Sequence, residues 1–249
     1  MNEILNQIKA RKSVRLFEDR PIPDEIREAI FESAFQAPTA GAMMLYSIIN
    51  ITDPDLRQKL SVTCDNQPFI AKAPLVLVFL ADYQRWYDTF HHEDCNPRKP
   101  GMGDLLLACA DTLIAAQNTV VAAESLGIGS CYIGDIIENC ETVRELLNLP
   151  DYVIPAAMAV YGYPQESQKT RKKPQRFDKE YLVFENTYQR LSKEEHTRMF
   201  RSLNEKAGYP DKDIHSDIQA FCKRKYMSDF ALEMNRSADV YVEKFSEDR

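Results

Sequence analysis

Apolar positions switch between helical and strand periods along the chain, and each switch marks an element. Ile4, Leu5 and Ile8 share one helical face and predict a short amphipathic helix over 3–12. Ile22, Ile26 and Ile30 recur every fourth residue in 21–38. Pro23, Asp24 and Glu25 stand at the start of that run and Pro38 after its end, which are helix start and stop signals. "LYSIINIT" (45–52) is rich in β-branched and aromatic residues and predicts a strand. Asp53 then caps a short helix over 53–62. "APLVLVFLAD" (73–82) is apolar without a break and predicts a buried central strand. Residues 83–102, with Trp86, His91, His92, Pro97, Pro100 and Gly101, are expected to form an irregular excursion. The segment 103–129 is apolar almost all round from Leu105 to Leu126, with Gly127 as its C-cap, so it must be covered on most faces, as a core hub or a subunit interface. Another amphipathic helix is expected over 138–150, a second buried strand over 153–164, and one or two helices over 225–245. Two layers of helix around a small sheet is the simplest architecture for this order.

Charge changes that picture only locally. The 249 residues suffice for one large domain or two small ones, and 44% hydrophobic with 28% charged residues is ordinary for a globular chain. A net charge of -7, from 31 basic and 38 acidic residues, disfavours general nucleic-acid binding. No apolar run is expected to reach the roughly 20 residues that span a bilayer, and the start lacks a secretory h-region. The chain is therefore expected to be cytoplasmic, with neither membrane nor nucleic acid as partner. None of the six cysteines stands in a C-x-x-C pair and the four histidines are scattered, so no metal site is expected.

Against this acidic background, Lys9, Arg11, Lys12 and Arg15 fall within seven residues. A solvated helix end would explain them. If the chain leaves the helix near Lys12, however, Arg11, Ser13 and Arg15 alternate to one side, an arrangement suited to a phosphate. A second basic cluster, Lys169, Arg171, Lys172, Lys173 and Arg176, could meet the same anion. "QAPTAGAM" (36–43) is either a connector or a loop that brings backbone N–H groups near a ligand. "ESLGIGSCYIGD" (124–135) follows a helix, so it is not the dinucleotide fingerprint, yet its small residues would let a flat ring approach. No nucleophile elbow, P-loop, triad or carboxylate dyad is present, so a bound cofactor is expected to carry any chemistry, with no catalytic side chain.

"RKSVRLFEDRPIP", "ESAFQAPTAGAMMLYSIINITD", "QNTVVAAESLGIGSCYIGDI", "VYGYP" and "VFENTY", in this order, resemble the nitroreductase-like flavoprotein family. The likeness is to its oxygen-insensitive nitroreductase and NADPH–flavin oxidoreductase branch. It implies an α+β fold, a small mixed sheet flanked by helices in an intertwined homodimer. It further implies an FMN-binding core over 1–190 and a helical extension over 191–249. The implied cofactor is FMN at the dimer interface, with NADPH or NADH as co-substrate and a small-molecule electron acceptor: a nitroaromatic, quinone, azo compound or flavin. Carried over by position, Arg11, Lys12 and Ser13 would hold the phosphate and ribityl chain, and Arg15 the N1/O2 edge, where a fixed cation favours reduction. Thr39, Ala40 and Gly41 would border the flavin and Gln67 its ring edge. Tyr132, Ile133, Gly134 and Asp135 would pass near N5 and O4, while Lys173 and Arg176 would close on the phosphate. The chain departs from the pattern at Met43 and Met44, at "KPQRF", and at 204–213, where Lys206 and Lys212 face three acids. Dehalogenation, flavin supply to a partner, and flavin binding without turnover are the alternative readings.

Overall fold

The computed structural model describes residues 2–246. Helices α1 (Glu3–Ala10) and α2 (Asp24–Phe35) precede strand β1 (Tyr46–Asn50). Then come α3 (Pro54–Thr63), the single turn α4 (Phe69–Lys72), β2 (Leu75–Asp82), α5 (Gln84–His92) and the long α6 (Met102–Ser125). Strand β3 (Gly129–Ile133), α7 (Cys140–Leu147), β4 (Val153–Gly162) and α8 (Glu166–Thr170) follow. The chain closes with α9 (Lys193–Ala207), α10 (Ile214–Lys225) and α11 (Asp229–Ser246). Met1–Arg171 with Glu233–Arg249 form one compact unit and Lys172–Leu232 a second.

The first unit is α+β, built on a four-stranded sheet of order β1-β2-β4-β3. The expected mixed sheet is antiparallel at every pairing of named strands; its parallel element is the isolated bridge between Ser13 and Ser130. β2 reads as continuously apolar because both its faces are covered. Val76, Val78 and Leu80 meet Leu60 and Val143 of α3 and α7, while Leu75, Leu77 and Phe79 meet Ile30 and Val120 of α2 and α6.

Three expectations change. Residues 84–92 are helical: Trp86–Phe90 and Tyr87–His91 pair their rings one turn apart, and the prolines gather beyond His92. Gly129–Ile133 is a strand, too short and too glycine-flanked to show a clear alternation. By length and composition α6 is apolar enough to cross a membrane, against the expectation that no run approached that span. It lies on the sheet instead, with Leu105, Ala108, Ala116 and Val120 buried. Leu106, Leu107, Leu113 and Ile114 remain exposed, as do Ile4, Leu5 and Ile8 of α1.

What places the amino-terminal segment is a pair of glycines. Gly129 and Gly162 face each other across β3 and β4. A Cβ on Gly129 would lie 2.6 Å from Val14 Cγ2, and one on Gly162 would lie 2.7 Å from Phe17 Cδ1 and 2.8 Å from Pro74 Cδ. Only hydrogen at both positions lets the segment lie flat on the sheet end. There Val14 N–H donates to the Ser130 carbonyl at 2.8 Å.

The second unit carries α9 and α10. A reciprocal capping box between Ser192 and Glu195 opens α9. Phe177, Phe200 and Phe221 stack edge to face, and Asn204 donates to Asp217 at 3.0 Å.

Gly162→Ala is expected to cost about 1–3 kcal/mol by overpacking, lowering Tm by several degrees at about 2–4 °C per kcal/mol for a chain of this size. A thermal melt of the variant beside the parent protein checks this.

Candidate functional site

The segment after α1 runs extended, which is the second of the two readings open for its cations. Arg11 ends the helix with φ −51° and ψ 134°, and Ser13 and Phe17 bridge Ser130 and Pro164. Val14 turns into the core. Ser13 and Arg15 both reach the buried Cys131 thiol, so they share the other side. Burial pushes that thiol up, and Arg15, Ser13 and Arg11 partly offset the shift. The Arg15 guanidinium lies 5.8 Å from the centre of the Phe69 ring, and the Arg15 backbone N–H donates to Gln168 Oε1 at 3.3 Å.

The two basic clusters do meet in part. Lys12 Nζ donates to the Lys169 carbonyl at 2.7 Å and also to that of Arg171, and the Arg171 guanidinium donates back to the Ser13 carbonyl. Arg11, Lys12, Arg15 and Arg171 thus surround Ser13, and among the described residues none of the four forms an ion pair. Arg11 Nη1 and Ser130 Oγ are moreover buried with no hydrogen-bond partner. Arg11 lines a small cavity of about 60 Å³ with Gln7, Gln117 and Glu124. Uncompensated cations and orphaned donors in an acidic chain fit an anionic group such as a phosphate.

Next to these cations, the end of β3 meets the loop after α3. Gln67 Nε2 donates to the Cys64 carbonyl at 2.9 Å and to Asp135 Oδ2 at 2.8 Å, which joins two predicted site residues. Tyr132 is half-buried, with its hydroxyl 3.5 Å from Gln117 Oε1, and burial raises its pKa. Ile133 points into the core, so only its backbone can face a ligand. A side chain at Gly134 would meet nothing, which leaves the approach open.

Thr39, Ala40 and Gly41 lie in the same unit but are held by a residue the sequence reading missed. Asp111, 4% exposed in the middle of α6, accepts from the Thr39 hydroxyl, from Ala40 N–H at 2.9 Å and from Leu45 N–H at 3.2 Å. The Trp86 indole donates to the Met43 carbonyl at 2.8 Å, and Gly41, Ala42 and Met44 take positive φ. The sign was the single carboxylate between Leu105 and Ala123 of an almost wholly apolar helix. No hydrogen bond among the described residues joins this loop to Arg11–Arg15. Lys173 and Arg176 belong to the second unit, where Arg176 donates to the Pro174 and Gln175 carbonyls. Lys206 and Lys212 pair with Asp178 and Asp217 there.

The model of the nitroreductase family matches residues 8–163, a span that holds Arg11, Lys12 and Arg15, the Asp111-held loop and the Gln67–Asp135 pair. The chain belongs to the nitroreductase family. Among this family's members, the chain is 36% identical over 192 residues to an oxygen-insensitive NADPH nitroreductase of Salmonella typhimurium, covering 77% of each chain. It is 34% identical over 195 residues to an FMN reductase (NADPH) of Bacillus subtilis, covering 76% of this chain and 75% of that one. The solved NADPH:FMN oxidoreductase of Vibrio harveyi, complexed with NAD+, superimposes with a TM-score of 0.80 at 26% identity, over 97% of this chain and 98% of that one.

Asp111→Ala would leave the Ala40 and Leu45 amides without their acceptor, at about 1–3 kcal/mol for each unsatisfied group. The expected outcome is faster hydrogen exchange at 40–45 with little change at 129–133, read by exchange mass spectrometry.

Proposed function

We propose that the chain is an NAD(P)H-dependent FMN oxidoreductase that reduces nitroaromatic, quinone, azo or flavin acceptors by a ping-pong mechanism. The observation that carries this reading is the set of four cations around Ser13, none of them in an ion pair among the described residues. Bound FMN would supply the redox chemistry, taking hydride from the nicotinamide and passing electrons to the acceptor in its place.

Lys12, Ser13 and Arg171, with Arg11 behind them, would hold the phosphate, and the family likeness adds Lys173 and Arg176 to that role. Arg15 would place its charge at the N1/O2 edge, with the Phe69 ring limiting its movement. Gln67 would meet the ring edge, and the backbone of Tyr132–Asp135 would run beside it. None of these groups has to exchange a proton with the acceptor, which agrees with the lack of a dyad or triad. With Lys206 and Lys212 committed to carboxylates, both NADH and NADPH stay in the reading as donors.

The active form is proposed to be a homodimer. The exposed apolar residues of α1 and α6 supply a face for a second copy. The Thr39–Gly41 loop, unconnected to Arg11–Arg15 within one chain, would then border the partner's flavin.

Purified protein is expected to be yellow, dimeric in solution, and to oxidise NADPH or NADH when an acceptor is supplied. A colourless protein that takes up no FMN would defeat the reading. Arg15→Ala is expected to weaken FMN binding about 10- to 100-fold, the size of a lost charge-assisted hydrogen bond, in a fluorescence titration.

A further inference from the structure

Behind the Gln67–Asp135 pair stands a residue to which the family likeness gives no role. Gln67 spends both amide hydrogens on one side, on the Cys64 carbonyl and on Asp135. Its Oε1 is the acceptor left over, so the amide has one orientation. Asp135 opens a short 3-10 turn that Glu138 closes. Glu138 is 4% exposed, its Oε1 is buried without a hydrogen-bond partner, and the Asp135 carboxyl is among the neighbours that disfavour its charge. A buried carboxyl beside a second carboxyl, with no cation to pair it, favours a proton on one of the two.

The surroundings decide which. From the end of α3, Asp65 acts on Glu138, with the Cys64 thiol nearby. From α11, Glu233 acts on it, and the neighbouring donors are already engaged there: Arg236, Ser237 and Asn139 N–H all bond Glu233. Arg236 also holds Glu141 of α7. Burial first, and these acids next, push Glu138 up to about 7.

We propose that Glu138 is a positioning residue: its protonated carboxyl donates to Asp135, which keeps Asp135 turned to the Gln67 amide and the Gln67 oxygen turned to the flavin edge. The positioning rests on the FMN reading, whereas the proton on Glu138 does not. When Glu138 ionises, its proton leaves to solvent, the bond to Asp135 is lost and a second negative charge stands beside the ring edge. That charge opposes the gain of electrons, so the redox potential of the loaded protein should fall more steeply through neutral pH than it otherwise would.

The test has two arms. In the first, the apoprotein and its Glu138→Gln variant are melted at pH 5 and pH 8. The neutral form is the one the fold favours, so this group's contribution is complete below 4.5 and is lost as pH rises through about 7. Glu138→Gln should therefore raise Tm relative to the parent by more at pH 8 than at pH 5. In the second, the midpoint potential of the FMN-loaded proteins is followed from about pH 6 to 8. The parent should show a steeper fall near neutrality that Glu138→Gln lacks. A Tm difference independent of pH, or potentials that run parallel in the two proteins, overturns the proposal. If Glu138→Gln does not fold, Asp135→Asn reads the same pair, because the amide removes the charge facing Glu138. The Tm loss between pH 5 and pH 8 should then shrink, and an unchanged loss overturns the proposal. A protein that takes up no FMN fails the reading beneath the second arm alone, and the first arm still reports on the proton.

Discussion

The approach of Val14 and Phe17 to the backbone of Gly129 and Gly162 is the constraint on which the site depends. Everything charged near the site is carried by flexible side chains, but the segment that bears them is fixed by two glycines opposite each other at the sheet's end. With Val14 seated, the Ser13–Ser130 bridge forms, and Ser13 and Arg15 face the Cys131 thiol. The basic carbonyl clamp of Lys12 and Arg171 then locks the segment to the start of the second basic cluster. The proposed anion site would thus be built from backbone geometry and steric fit, with the charges added to it.

A second constraint comes from buried carboxyls. Asp111 carries a charge into an apolar helix and spends it on three donors of the 39–45 loop, which is how so small a side chain can fix a loop with several positive-φ residues. Asp135 does the same for Gln67, with Glu138 behind it. Neither carboxyl is surrounded by the cations of the Ser13 cluster. On the proposed reading the chain keeps its positive charge for a ligand and uses carboxyls to shape loops.

Much of this was legible in the sequence, for physical reasons that differ by element. α2, α3, α7, β2 and β4 carry strong periods or unbroken apolar runs, and each forms close to where it was expected. The extended course of Arg11–Phe17 was one of two readings that the sequence left open. The helix over 84–92 was hidden by the prolines that end it, and β3 by its glycines, although those glycines are what the seat requires. Burial of carboxyls was the least legible feature. Asp111 and Glu138 look like ordinary polar residues until the fold shows them enclosed. The apolar face of α1 was read correctly as amphipathic, yet within one chain it buries nothing, because its cover is not a local property of the sequence.

The most direct test of the glycine seat is a two-residue cycle read by FMN affinity. Gly129→Ala places a methyl group against Val14, and Val14→Ala removes the γ-carbons it would strike, at 2.6 Å and 3.2 Å. FMN should bind weakly to Gly129→Ala and more tightly again to the double variant, since the second change makes room for the first. Parent-like affinity in Gly129→Ala, or no recovery in the double variant, would contradict the claim that this contact positions the site.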